Sequence, residues 1–311
     1  MTGATEPVLS EEEVCFDSAG HRLVGTLTVP PGDGRFPAVL LLSGSGPIDR
    51  DSNHKKMRFD VSRQLAVALV GAGVASYRFD KRGVGESPGD WRAAGLGDNV
   101  DDAAAALAML REWPEVEADR VFAAGHSEGA VQAVALAGRG LPIAGLVLLA
   151  GSARGGEEVL RRQARAIAPT LPRPVRFLLR LLRVDLEKRV ANNHAKIKRT
   201  TTDVTRMGLA RINAKWFREY LGYDPRPDLA TVRVPVLAVT GDKDLQVDPT
   251  DLQVFEEVVP GEVEIHLVPG LTHTLRRQAK APSLSRYKQE LREPVDRFVL
   301  DTVTGWVRRH T

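Results

Sequence analysis

Apolar residues along this chain fall into two kinds of run. Val74–Phe79 and Val263–Val268 are short mixed stretches that read as strands, and Pro37–Leu42, Val121–Ala124, Ile143–Ala150 and Val234–Thr240 are short and nearly unbroken. Runs of that length read as strands buried on both faces. Between them lie longer patterned segments. Phe59–Val70, closed by Gly71 and Gly73, reads as a helix, as do Asp98–Arg111, Ala130–Ala137 and a final stretch from about Leu284 to Arg308. Asp98, Asp101 and Asp102 open their helix where acidic side chains suit the dipole, and read as caps. Val14–Asp17 and Arg22–Val29, joined by Ser18-Ala19-Gly20, read as a hairpin. Strands alternating with helices predict an α/β fold, a mostly parallel central sheet flanked by helices.

The alternation stops at Ser152 and resumes near Val234. The segment between is helical in pattern and basic. The expected organisation is therefore a core in two parts, residues 1–151 and 229–311, with a helical insertion at 152–228. Within it Val175, Leu178, Leu179, Leu182 and Leu186 fall on one helical face, and Arg176, Arg180 and Arg183 on another. The plain expectation is a lid packed on the core with solvated arginines. The alternatives are contact with anionic substrates or with a membrane surface.

Composition narrows the picture only a little. The chain has one cysteine, Cys15, so an internal disulfide is excluded; a small buried side chain is expected there. The start, MTGATEPVLSEEE, has neither a basic nor an apolar stretch, so no secretory signal is expected, and residues up to about Leu9 are expected to be disordered. No run approaches the ~18 apolar residues that span a membrane. A cytoplasmic protein is the resulting expectation. The net charge of +3 gives no reason to expect a nucleic-acid partner. Asp49, Asp51 and Asn53 are isolated oxygen ligands, too weak a pattern to predict a metal. The glycines of Asp80–Ser87 lack the Gly-Lys-Ser/Thr of a phosphate loop. No cofactor is expected.

The stretch Val121–Gly129, VFAAGHSEG, carries the chemistry. A strand, then Gly-x-Ser-x-Gly, then a helix puts Ser127 on a tight, strained turn with its hydroxyl above the sheet. Gly125 and Gly129 let strand and helix pass closely. The N–H of Glu128, at the helix start, faces the place where an oxyanion would form. Here the chain resembles the α/β-hydrolase superfamily over about Val14–Ala150 and Val234–Arg308.

The resemblance implies the rest of the site. Ser43–Asp51 looks like the Gly-Ser-Gly-Pro-x-Asp-Arg-Asp loop of an esterase-like branch, which makes the Ser45 N–H the second oxyanion donor. Asp49, Arg50 and Asp51 are read as an ion-pair network shaping that loop. Asp80–Ser87 matches the superfamily's Asp-x-Arg-Gly-x-Gly-x-Ser loop, with Asp80 and Arg82 as scaffold. The triad acid falls at Asp244, with Asp242 as runner-up, and the triad histidine at His273. The order Ser127, Asp244, His273 is that of α/β-hydrolases. Asp248 reads as a helix cap, His266 as a structural strand residue, and His126 as a neighbour whose side chain points elsewhere. Trp216, Phe217, Tyr220 and Tyr223 either line an acyl pocket or anchor the inserted cap. The implied activity is hydrolysis of small or medium carboxylic esters through an acyl-enzyme. Thioesterase, lipase-like and peptidase activities share the triad. A reading from another class is a hydrolase fold kept as a binding protein for an acidic ligand or lipid surface.

Overall fold

The computed structural model describes residues 10–171, 173–182 and 185–311. Its frame is an eight-stranded sheet. The sheet strands are β1 (Ser10–Ser18), β2 (His21–Val29), β3 (Phe36–Leu42), β4 (Ala75–Phe79), β5 (Val116–His126), β6 (Leu146–Leu149), β7 (Val236–Gly241) and β8 (Val263–Val268). In space they run β1-β2-β4-β3-β5-β6-β7-β8. β1 and β2 pair antiparallel, as do β2 and β4; every pair from β4 to β8 is parallel.

The continuous apolar runs have the meaning their pattern implies. In β3, Ala38, Leu40 and Leu42 enter the core on one face of the sheet, and Val39 and Leu41 the core on the other. β5 and β7 divide their side chains in the same way. Helices α2 (Leu96–Glu112), α3 (Glu128–Gly138) and α8 (Asp251–Val258) cover the first face. Helices α1 (Val61–Gly71) and α9 (Arg297–Arg309) cover the second. The insertion carries α4 (Gly156–Ile167), α5 (Arg173–Leu181), α6 (Leu186–Lys198), α7 (Ala214–Gly222) and a two-stranded hairpin, Val204–Met207 with Ala210–Asn213.

Several expectations are corrected. β1 begins at Ser10, four residues before the expected start, because its acidic half also pairs with β2, from Ser10 opposite Val29; Glu11 binds Arg78 at 2.8 Å and Glu13 lies 3.6 Å from Arg50. Cys15 is half-buried, not fully enclosed. The final helix is broken. A short turn of helix, Tyr287–Glu290, precedes Pro294, and α9 restarts after the Asp296 cap, which accepts from the Phe298 N–H at 3.0 Å. Asp102 is no cap; it is 1% exposed and binds the Arg82 guanidinium at 2.7 and 2.9 Å. Asp98 does cap, taking the Gly95 N–H at 2.7 Å.

The amphipathic helix of the insertion also departs from expectation. α5 ends at Leu181 and α6 begins at Leu186, so the apolar positions from 175 to 186 do not share one helix. Val175, Leu178 and Leu182 are 42%, 52% and 62% exposed, not packed on the core. The side chains of Leu179, Arg180 and Leu186, and all of Arg183, lie outside the described residues, as do residues 1–9. Among the described residues no helix is long and apolar enough to cross a membrane.

Candidate active site

The chain turns from β3 to β4 on one side and crosses to β5 on the other. Open α/β sheets bind ligands at such a switch point, beyond the carboxyl ends of the strands. The site residues follow those ends: Ser45 after β3, Asp80 after β4, Ser127 after β5, Asp244 after β7 and His273 after β8.

Ser127 has φ +57° and ψ −117°, a region a side-chain-bearing residue rarely occupies. The turn is held by the Ser127 N–H donating to the Leu149 carbonyl at 2.9 Å. Its glycines are required by proximity. A Cβ on Gly125 would overlap the Gly129 backbone, and one on Gly129 would overlap the Leu42 carbonyl. The elbow therefore presses against the end of β3. A Cβ on Gly44 would sit 3.6 Å from that of Ser127, so the loop after β3 also lies against Ser127.

His273 brings the three separate segments together. Its Nε2 is 3.0 Å from the Ser127 Oγ, and its Nδ1 is 2.8 Å from the Asp244 Oδ2. The other oxygen of Asp244 accepts from the backbone N–H groups of Gln246 and Val247, at 2.7 and 2.9 Å. Asp244 and His273 are each 4% exposed. Asp242 is exposed and accepts instead from the Gly270 N–H at 2.6 Å, so the runner-up acid does not reach the imidazole. Asp248 accepts from the Thr250 N–H at 3.0 Å, ahead of α8, and pairs with Arg162 at 2.6 Å.

The loop carrying His273 is braced from within. Glu290, buried, accepts from the Thr272 and Thr274 hydroxyls at 2.7 and 3.0 Å. Arg276, 2% exposed, donates to the Thr274, Phe59 and Glu293 carbonyls. Burial pulls its pKa down to about 10, with Asp60 and Glu290 opposing.

His126 does not point elsewhere. Its ring lies 5.0 Å from that of His273, and its Nε2 is 2.9 Å from the His273 carbonyl. A carbonyl only accepts, so His126 carries its proton on Nε2. Burial, then the neighbouring His273, push its pKa down to about 3. His126 is thus a neutral brace under the site histidine. The signal was present in the sequence: alternation along β5 turns residue 126 to the opposite side from 125, but its partner comes from 147 residues away.

The loop networks are dense. Asp80 accepts from the Arg50 backbone N–H at 2.7 Å and from its guanidinium at 2.7 and 3.0 Å; Asp51 accepts from Arg78 at 2.8 Å. Lys81, absent from the sequence-based site, is 8% exposed and donates to the Gly44 carbonyl at 2.6 Å. Among the described residues no cluster of side chains suits a metal ion.

A cavity of about 360 Å³ opens beside Ser45 and Gly46. Trp216 and Phe217 are in its wall; Tyr220 is not, and stacks behind Trp216 at 4.8 Å. Tyr223 binds Asp228 at 2.5 Å and is an anchor. The wall also holds Lys81, Arg82 and Arg211, and among the described residues no carboxylate lines it. Ser127 and His273 lie outside this wall, which includes Ser45 and Gly46 of the loop after β3.

These features define a serine-histidine-aspartate site on an α/β-hydrolase fold. Residues 58–278 match the family described as serine aminopeptidase, S33, and the chain belongs to that α/β-hydrolase family. Esterase EstD of Thermotoga maritima is 27% identical over 294 residues, which cover 94% of this chain and 66% of that protein. An uncharacterised protein of Mycobacterium tuberculosis is 37% identical over 129 residues, 42% of this chain and 41% of its own length. The chain thus spans about two thirds or less of these relatives. Among solved structures, Est1E of Butyrivibrio proteoclasticus with bound ferulic acid aligns at a TM-score of 0.64 and 19% identity, over 96% of this chain and 98% of that one. Proline iminopeptidase of Mycobacterium smegmatis aligns at 0.63 and 16% identity, over 96% and 98%. These two likenesses establish the fold.

Proposed function

We propose that the protein is a serine hydrolase that cleaves carboxylic esters through an acyl-enzyme on Ser127, with residues 152–228 as its cap. The observation that carries this reading is the relay Asp244–His273–Ser127, with contacts of 2.8 and 3.0 Å. Ser127 Oγ attacks the ester carbonyl as His273 Nε2 takes its proton, and Asp244 keeps the other imidazole proton on Nδ1. The N–H groups of Ser45 and Glu128 meet the developing oxyanion, each worth roughly 3 kcal/mol. His273 returns the proton to the leaving alcohol. Water, deprotonated by the same imidazole, then releases the acid.

Esters are favoured over aminoacyl amides by the cavity. An aminopeptidase substrate brings an ammonium group, which needs a carboxylate; among the described residues this wall holds none, and its Lys81 and Arg82 are already paired with Glu128 and Asp102, beside Trp91, Trp216 and Phe217. A neutral acyl group with an apolar body fits that lining. The name of the EstD relative supports the same choice. The test is a panel of p-nitrophenyl esters from acetate to laurate, beside a thioester and aminoacyl p-nitroanilides. Turnover is expected on the shorter esters and at least ~100-fold less on the anilides, the scale of discrimination that a mismatched charged or polar group brings. Preference for an aminoacyl anilide would reverse the assignment.

A further inference from the structure

The Glu128 carboxylate, which the steps above do not use, is 3% exposed beside the nucleophile. Its Oε1 takes bonds from Lys81 Nζ at 3.2 Å, Asn99 Nδ2 at 2.9 Å and Gln132 Nε2 at 2.8 Å; its Oε2 takes one from Trp216 Nε1 at 2.9 Å. All of these partners donate, so Glu128 serves every contact as an acceptor. Lys81 divides its ammonium between this carboxylate and the Gly44 carbonyl, 2.6 Å away. That carbonyl and the Ser45 N–H belong to one peptide unit. The unit is planar, with C=O and N–H pointing in opposite directions, so fixing one aims the other.

We propose that Lys81, anchored by Glu128, is a positioning residue that aims the Ser45 N–H at the oxyanion. The inference rests on the esterase reading and names how its oxyanion loop is set. A buried ion pair is no more stabilising than a well-packed apolar pair, so stability alone does not call for one here. A group held on both the nucleophile's own helix and the opposing loop can fix the distance between the two N–H donors. Glu128 supplies one donor from its main chain and, through Lys81, orients the other.

Lys81→Met keeps length and removes the donor. Glu128→Gln keeps the shape and can leave its oxygen on Lys81, Asn99 and Gln132, but it removes the charge that anchors the ammonium and turns an NH2 toward the Trp216 Nε1–H. Misaiming a donor costs less than deleting one, so kcat on p-nitrophenyl acetate is expected to fall ~10- to 100-fold in Lys81→Met, with KM within ~3-fold. Affinity for a trifluoromethyl ketone, which mimics the oxyanion, should fall by the same factor. Glu128→Gln should show the same kcat-only signature, and it carries the test alone if Lys81→Met does not fold. Folded variants with lower melting temperature but wild-type kcat and wild-type ketone affinity would overturn the proposal and leave the esterase reading intact. A wild type that turns over no ester overturns both.

Discussion

Replacing Asp244 by Asn separates the acid of the relay from its bystanders. One Asp244 oxygen is held by two backbone N–H groups, of Gln246 and Val247, at 2.7 and 2.9 Å. Both are donors, so an Asn side chain must leave its oxygen there. Its NH2 then faces His273 Nδ1, which the native carboxylate contacts at 2.8 Å. Two N–H groups cannot face each other. The imidazole must move its proton to Nε2, the nitrogen that lies 3.0 Å from Ser127 Oγ. An Nε2–H cannot accept the serine proton. The wrong tautomer in a serine triad costs about 10⁴ in kcat, or roughly 5 kcal/mol of transition-state stabilisation. Asp242→Asn loses far less, because its single bond, to the Gly270 N–H at 2.6 Å, is one an amide oxygen also accepts. Initial rates on a p-nitrophenyl ester, with KM checked for both variants, decide between the two. An Asp244→Asn enzyme within tenfold of wild type, or a larger loss from Asp242→Asn, would refute the tautomer argument.

Two other perturbations follow from the same geometry. Gly129→Ala places a Cβ against the Leu42 carbonyl, and no flexible side chain is there to yield; destabilisation of ~2 kcal/mol or more is expected in urea melts, and a wild-type midpoint would contradict the close approach. His126, neutral down to about pH 3 in the folded chain, meets an unfolded chain whose histidine binds a proton below about pH 6.5. The unfolded state then holds more protons, so stability is lost as pH drops from about 6.5 toward about 3, by up to about 1.4 kcal/mol per unit, and is fully present above that window. His126→Gln removes the titration, so its loss of stability between pH 7 and 4.5 should be smaller than that of wild type; equal losses would reject the assignment.

Much of this site was legible because its residues follow apolar runs. β3 is an unbroken apolar stretch and β7 nearly so, and Ser127, Asp244 and His273 each stand within a few residues of a strand end. The superfamily pattern supplied the pairing that spacing alone leaves open. What stayed hidden depends on partners distant in sequence. Glu128 reads as a helix-start acid, yet its donors Lys81 and Trp216 are 47 and 88 residues away. The acidic half of β1 has no apolar pattern; it is a strand because it pairs with β2, Glu11 opposite Thr28 and Glu13 opposite Thr26, while its carboxylates reach Arg78 and Arg50. In the insertion, helical periodicity was read without the break between Leu181 and Leu186, and an apolar face that pattern assigns to a core is solvent-facing at Val175, Leu178 and Leu182. Periodicity fixes which positions share a face, not whether anything covers it.

The most direct measurement is the mass of the intact protein after exposure to a fluorophosphonate, followed by mapping of the modified peptide. A single adduct on Ser127 is expected, absent from Ser127→Ala, and slowed in Asp244→Asn because the imidazole cannot take the proton. A folded wild type that gains no mass, or carries the adduct on another residue, would contradict it.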